Sequence, residues 1–364
     1  MSDCLDDWRQ RIVQAAADAA PLRIVGGGSK DFYGRPAPGE PLLTAEHRGI
    51  VNYEPSELSV TARCGTPLAE LEAVLAEAGQ MLAFEPPHFA GGATLGGAIA
   101  AGLSGPRRAA AGAARDFVLG ASILDGRGAK LSFGGQVMKN VAGYDVSRLL
   151  VGSLGTLGLL LEVSLKVLPR PAATTSLGLA ANQAQALALC NRYAGRPLPI
   201  SASAWQDHGD GDGGRLTLRL SGSGAAVAAA QREIGGEVLD DTAAANFWRD
   251  LRDQRSDFFA GTAPLWRLSL ASTTPPLALP GATLIEWGGS LRWLRSEVPA
   301  ATLHAAMAAL GDGAHATLFR GPDASRRQGV FQPLPAALLA LQRRIKQRFD
   351  PAAIFNRGRL YAEL

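Results

Sequence analysis

Three glycine clusters divide the first half of this chain: Val25-Gly-Gly-Gly-Ser-Lys30, Gly91-Gly-Ala-Thr-Leu-Gly-Gly97 and Gly152-Ser-Leu-Gly-Thr-Leu-Gly158. Each follows or opens a strand-like segment. Glycine reaches positive φ and, lacking Cβ, lets backbone N–H groups approach a ligand closely. Successive N–H groups in such turns form concave anion nests. A single cluster reads as a flexible turn; three together point to a large phosphate-bearing cofactor. The dinucleotide fingerprint does not account for them, because Asp31 stands where the third glycine of G-x-G-x-x-G belongs. No G-x-x-x-x-G-K-[ST] spacing occurs either, so the phosphate site is of another kind.

At 364 residues the chain exceeds one ordinary core, and two domains are expected. Hydrophobic residues make up 47% and charged residues 19%, as in a globular protein. A net charge of +3 with scattered basic residues gives no nucleic-acid footprint. Cys4, Cys64 and Cys190 lie far apart, so no thiolate set for an iron–sulfur cluster or zinc is expected. The acidic N-terminus lacks the apolar stretch of a signal peptide.

Leu5 to Ala20 reads as an amphipathic helix and Leu22 to Val25 as a strand that feeds the first cluster. Leu58 to Arg63 alternates as a half-buried strand, and Thr66-Pro67 then serve as N-cap and N1 of a helix bearing Leu68, Leu71 and Leu75. Phe117–Leu124 and Lys130–Phe133 form a hairpin around Asp125-Gly-Arg-Gly128. Leu161, Val163, Leu165 and Val167 alternate with polar residues, predicting one strand face. Pro169-Arg-Pro171 is a natural boundary. Beyond it, helices near Asn182–Tyr193 and Gly224–Ile234 are expected to cover one face of an antiparallel sheet. A last helix, Pro335 to Phe349, places Leu338, Leu341, Ile345 and Phe349 on one side.

The second and third clusters, together with Arg115-Asp116, Phe117-Val-Leu-Gly120, Asp125-Gly126 and Val141-Ala-Gly-Tyr-Asp145, resemble the FAD-binding (PCMH-type) domain of the vanillyl-alcohol oxidase-like flavoproteins. More narrowly, Gly26-Gly-Gly-Ser-Lys-Asp-Phe-Tyr-Gly34, Tyr53-Glu-Pro-Ser-Glu57, Phe84-Glu-Pro-Pro-His88, Leu103-Ser-Gly-Pro-Arg107 and Gly134-Gly-Gln-Val-Met-Lys-Asn-Val-Ala-Gly-Tyr-Asp145 look like the FAD-binding subunits of bacterial glycolate oxidases. The resemblance implies an α+β fold: a PCMH-type FAD-binding domain over residues 1–171, an inserted α+β cap over 172–332, and a segment 333–364 returning to the first domain.

For the site, the resemblance implies a pyrophosphate loop at Val25, Gly26, Gly27, Gly28, Ser29 and Lys30. Further cofactor contacts are implied at Gly91, Gly92, Thr94, Leu95, Gly96 and Gly97. Ser104 and Gly105 are implied beside the flavin ring or ribityl chain, and Gly155, Thr156, Gly158 and Leu160 beside the adenosine half. Asn356 and Arg359 would reach back toward the ring. Lys30 reads either as a point charge near phosphate or as a solvated lysine. Arg115 and Asp116 read as a flavin-side or a surface ion pair. Trp266, Trp287 and Trp293 read as interface or sheet-core residues. Ser29 and Lys30 stand where covalent relatives offer a histidine, so non-covalent FAD is implied.

His208-Gly-Asp-Gly-Asp-Gly213 lacks the following histidine of the catalytic His-Gly-Asp-Gly-Asn-x-His motif and reads as a hairpin loop. His47, His88, His304 and His315 form no ligand or acid–base set by spacing, and no catalytic residue and no metal site is assigned. The resemblance therefore implies an FAD-binding redox subunit of a glycolate-oxidising complex, acting on glycolate or D-lactate with a catalytic FAD subunit and an iron–sulfur subunit. Such a complex would be cytoplasmic, meeting the membrane only through partners. Alternatives are a self-sufficient FAD-dependent dehydrogenase and a structural subunit with vestigial FAD binding.

Overall fold

The computed structural model describes residues 2–89, 91–135, 145–207 and 213–364. Two antiparallel sheets organise them. The first has five strands in the spatial order Ile50–Glu54, Ser59–Arg63, Leu159–Lys166, Val118–Leu124 and Lys130–Gly134. Helices Leu68–Glu77 and Leu95–Ala101 bury Leu68, Leu71, Leu75, Leu95 and Ile99 against one face. The N-terminal helix Ser2–Ala17 brings Trp8, Ile12 and Ala15 to a second core with Leu22, Leu42 and Leu161.

The alternation along Leu159–Lys166 is interrupted. Ser122 pairs with Glu162 while Ile123 pairs with Leu160, leaving Leu161 as an extra residue. Such a bulge reverses the facing of everything beyond it. Val163, Leu165 and Val167 therefore join the main core with Leu160, whereas Leu159 and Leu161 pack on the opposite side. The sequence pattern predicted Leu161 to Val167 on one face; the bulge separates Leu161 from the rest. It lies immediately after the third glycine cluster.

The second sheet has eight antiparallel strands in the order Glu237–Val238, Ala173–Ala180, Gly214–Gly222, Ile200–Asp207, Ala282–Glu286, Leu291–Arg295, Leu265–Ser269 and His315–Arg320. Helices Gln183–Ala194 and Gly224–Ile234 cover Leu177, Trp205, Leu216, Leu218 and Leu220. The first of these is held at its start by reciprocal bonds, Gln185 N–H to Asn182 Oδ1 and Asn182 N–H to Gln185 Oε1, both 2.9 Å. Ala300–Ala309 covers Trp266, Leu268 and Leu294. The opposite face carries Leu265, Leu284, Leu291 and Trp293, which pack with Tyr33, Ala101, Leu103 and Leu154 from the glycine-rich half. One hydrophobic cluster thus joins the second sheet to the glycine-rich loops.

Two local expectations change. Thr66 does not cap the helix after it; its hydroxyl accepts from Gly49 N–H at 2.9 Å, and Pro67 occupies the cap position. In the final helix, Ala336–Phe349, Leu338 and Leu341 are exposed, and only Ile345 and Phe349 reach the core. The buried side chain is Lys346, 5% exposed. Its ammonium donates to the Asp350 carboxylate at 2.7 Å, Thr156 O at 2.7 Å and Phe355 O at 2.8 Å. Asp350 also accepts from Ile354 and Phe355 N–H. These bonds hold the C-terminal segment beside Leu22, whose N–H donates to Ile354 O at 2.8 Å. No described helix is long and apolar enough to cross a membrane. Lys346→Met removes the cation and leaves Asp350 buried without a counter-charge, so urea unfolding should show a loss of about 3–5 kcal/mol.

Candidate functional site

The strand Leu22–Val25, paired in parallel with Glu40–Leu43, delivers the chain into the first glycine loop. Among the described residues, none accepts a hydrogen bond from the backbone N–H groups of residues 26–30. Gly28 adopts φ +72°, and the loop closes through Asp31 N–H to Gly28 O at 3.1 Å. Five successive open amides in a turn are a ready anion cradle. The loop also presses against the second cluster: a Cβ on Gly27 would stand 1.5 Å from the Gly92 carbonyl oxygen.

The second cluster is spent differently. Its N–H groups at the helix start are already paired, Leu95 to Thr66 O at 2.8 Å and Gly96 to Cys64 O at 2.7 Å. Thr94 Oγ1 accepts from Gly97 N–H at 3.2 Å as the helix N-cap. A Cβ on Gly96 would lie 2.7 Å from Cys64 Cβ, so this glycine serves helix–strand contact. The third cluster contributes Leu154 O, which accepts from Asn356 Nδ2 at 2.6 Å. Asn356 Oδ1 in turn accepts from Ile24 N–H at 2.8 Å. One buried asparagine thereby joins the first strand, the third cluster and the C-terminal segment.

Together these elements line a groove that is open to solvent. The structure brings to it Gly26, Gly27, Gly28, Ser29, Lys30, Thr94, Gly96, Gly97, Gly155, Gly158, Leu160, Asn356 and Arg359. Val25, Gly91, Gly92, Leu95 and Thr156 do not line it; Gly91 and Gly92 are exposed. Ser104 and Gly105 face a second, smaller cavity. Asp116 is exposed and accepts from Ala113 N–H at 2.8 Å. Sequence reasoning missed Thr44 and Cys64, which also line the groove. Only the strand pairing brings them there. Burial pushes the Cys64 thiol well up, so it stays protonated.

Lys30 is 8% exposed. Its ammonium lies 3.2 Å from Ser29 Oγ and 5.4 Å from the Phe89 ring centre, with no carboxylate at ion-pair distance among the described residues. Burial lowers its pKa to about 8, against a smaller upward pull from Asp253. An uncompensated buried cation is costly, and an anionic ligand relieves that cost. Arg359 is also buried and donates to Tyr33 O at 3.0 Å, tying the C-terminal segment to this loop. Open amides, a buried cation and an elongated groove fit a cofactor with a diphosphate linker.

The described histidines do not converge. His88 Nε2 lies 3.1 Å from a Glu72 carboxylate oxygen, His47 packs on Trp8 and His304 on Trp266. No metal-binding group of three forms among the described residues. The His208 loop and residues 136–144 of the resemblance lie outside the described residues. Trp266 and Trp293 are buried within the second sheet, and Trp287 is buried in the turn between two of its strands.

Gly27→Val should abolish flavin retention, because the new side chain collides with the Gly92 backbone. Gly92→Val should lose less, since its Cβ would stand 3.5 Å from Gly27 O and the cost is its φ of +88°. Flavin-to-protein absorbance ratios with unchanged far-UV circular dichroism test the order. Lys30→Met should weaken FAD binding about 10- to 100-fold, the worth of a charged hydrogen bond. The flavin-free form should be more stable at neutral pH. Its folded pKa is depressed, so wild-type Lys30 is destabilising below about 8, and that penalty fades as pH rises toward 10.5.

Comparison with known proteins places this geometry. Residues 5–134 match the FAD binding domain family. Over 355 residues the chain is 48% identical to the glycolate oxidase subunit GlcE of Escherichia coli (strain K12), covering 98% of this chain and 97% of that protein. It is 34% identical over 137 residues to the glycolate oxidase subunit GlcD of Bacillus subtilis (strain 168), 37% of this chain and 29% of that one. A solved structure of alkyldihydroxyacetonephosphate synthase superposes with a TM-score of 0.65 over 96% of this chain and 74% of its own. At 15% identity that likeness concerns the fold alone. The near full-length match shows that the chain belongs to the family of the glycolate oxidase subunit GlcE.

Proposed function

We propose that this chain holds FAD non-covalently as a redox subunit of a multi-subunit complex that oxidises glycolate, and D-lactate, to the 2-oxo acid. The observation that carries the reading is the run of open amides at 26–30 beside the buried Lys30 cation. FAD, when bound, would supply the hydride-accepting redox chemistry that the side chains lack. The amides of residues 26–30 and Lys30 hold the diphosphate, and Asn356 and Arg359 close the groove from the C-terminal side. Ser29 offers no ring nitrogen for a covalent link, and Cys64 is kept as a thiol. In domain terms, residues 1–171 with 333–364 form the cofactor unit and 172–332 the cap.

The partners proposed are a catalytic FAD subunit and an iron–sulfur subunit. The names of the GlcE and GlcD relatives as glycolate oxidase subunits support an assembly of several chains. The three scattered cysteines support an iron–sulfur path on another chain. No set of histidines converges among the described residues to orient and deprotonate a hydroxy acid, a contribution of about 10²–10⁴-fold. Electron relay is accordingly the role proposed here, and the complex is placed in the cytoplasm, meeting the membrane through partners.

Acid precipitation should release all yellow colour into the supernatant; flavin left in the pellet overturns the non-covalent assignment. In anaerobic stopped-flow, the isolated chain should show negligible flavin bleaching with glycolate, and bleaching on the turnover timescale once the partner subunits are added. Reduction at a turnover-competent rate without partners would refute the relay role.

A further inference from the structure

The C-terminal helix Ala336–Phe349 is only half packed. Helical spacing turns Leu339, Gln342, Ile345, Lys346 and Phe349 toward the body, and these are its buried and half-buried residues. Its first two turns reach past the core. Leu338 stays 49% exposed and Leu341 43%, with Ala336, Ala337 and Ala340 open around them. Ala337, Leu341, Arg344 and Arg348 follow one another at i, i+4, i+7 and i+11, so they form a single outward row, with Leu338 beside Leu341.

Along that row apolar turns give way to cationic ones. The side chains of Arg344 and Arg348 make no hydrogen bond or ion pair with any described residue, whereas Lys346, between them in sequence, is spent inside. At the other end Pro335 stands at the cap position and no side chain caps the helix. The N–H groups of Ala336, Ala337 and Leu338 meet no acceptor among the described residues. An uncapped helix start of this kind carries partial positive charge. The apolar pair Leu338 and Leu341 therefore lies between two positive ends. Nothing nearby in sequence balances them: residues 324–349 hold six arginines and lysines and no aspartate or glutamate, in a chain whose net charge is only +3.

We infer that this outward row is the surface on which a partner subunit docks, and that the partner meets it with an apolar pocket rimmed by carboxylates. The inference rests on the multi-subunit reading above and names the surface through which this chain joins the assembly. Protein interfaces set an apolar centre within a polar rim, with arginine enriched and lysine depleted. Both cations of the row are arginine. A helix lying on a lipid surface carries apolar residues along one whole side and cations along the other. Here the two succeed one another along a single row. A second copy of this chain offers only like charge, arginine against arginine or arginine against the positive helix start, and such contacts are repulsive.

Biolayer interferometry of the full-length chain on the immobilised catalytic subunit, and separately on the immobilised iron–sulfur subunit, tests the surface. The wild-type chain should bind at least one of them, with affinity falling as salt rises. Leu338→Gln with Leu341→Gln should raise Kd about 10- to 100-fold, mostly through faster dissociation. Arg344→Glu with Arg348→Glu should slow association about tenfold and flatten the salt dependence. Melting temperature and flavin content should match wild type in both double variants, because all four side chains are exposed. Leu310→Gln, 46% exposed on the cap, should bind as wild type does. Unaltered binding by both double variants overturns the surface and leaves the assembly reading standing. Failure of the wild-type chain to bind either subunit sinks the assembly reading and this inference with it. A loss from Leu310→Gln as large as that from the leucine pair shows unspecific adhesion and overturns the inference. So does wild-type sedimentation with phosphatidylserine vesicles, or a wild-type dimer in analytical ultracentrifugation, that the leucine pair variant abolishes; the helix then serves a membrane or a second copy.

Discussion

The groove exists because two loops touch through bare backbone. At Gly27 no atom larger than hydrogen fits between the first glycine loop and the Gly92 carbonyl. That contact sets where the amides of residues 26–30 stand. The same closeness recurs one layer down, where Gly96 rests on Cys64 and spends its N–H on the Cys64 carbonyl. The helix behind the second cluster thus anchors the loops instead of offering its own N-terminus to an anion. The donor surface belongs to the first loop, and the second is its abutment.

A second constraint spans the whole chain. Lys346 and Asp350 are buried together; between them they hold the Ile354 and Phe355 amides and the Phe355 carbonyl of the turn that follows, and Lys346 ties that turn to the Thr156 carbonyl, 190 residues away. A buried ion pair gains little net stability over an apolar pair of the same shape, but loss of one partner is severe. Its value here is positional. It fixes the segment from which Asn356 reaches both Ile24 and Leu154, more than 200 residues away in sequence. The cofactor groove is consequently a product of chain closure and cannot be complete until the C-terminus has docked.

Local chemistry was legible in the sequence where it is local in space. Glycine runs, the Asp125–Gly128 hairpin and the helix starts near Asn182 and Gly224 follow from short-range rules, and the structure has them. What escaped depends on partners far along the chain. Leu161 alternates cleanly in sequence, but a bulge against Ser122 and Ile123 turns it to another core. Leu338 and Leu341 share a helical face with Ile345, but that helix meets the core only in its second half. Lys30 reads equally well as a solvated lysine because no local pattern reports that it is buried beside Phe89 in the folded chain. Arg267 and Glu286 sit in strands whose register, set by three pairings, is invisible in either strand alone.

Charge gives the architecture its direction. The wall between the two sheets gathers Lys30, Arg108, Arg267 and Arg320, none of them ion-paired to a described carboxylate. Arg320 rests 4.6 Å from the Phe32 ring centre, and burial lowers it to about 10. Aromatic faces soften the cost of holding such cations away from water, but only by about 0.5–2 kcal/mol each. Burial raises the pKa of Glu286, the carboxylate among them, to about 7, so at neutral pH it balances the set only in part. A fold that spends stability on unpaired cations at the seam between its cofactor loops and its cap is built to receive negative charge there. On the proposed reading, the diphosphate of a flavin would answer that electrostatic demand at Lys30.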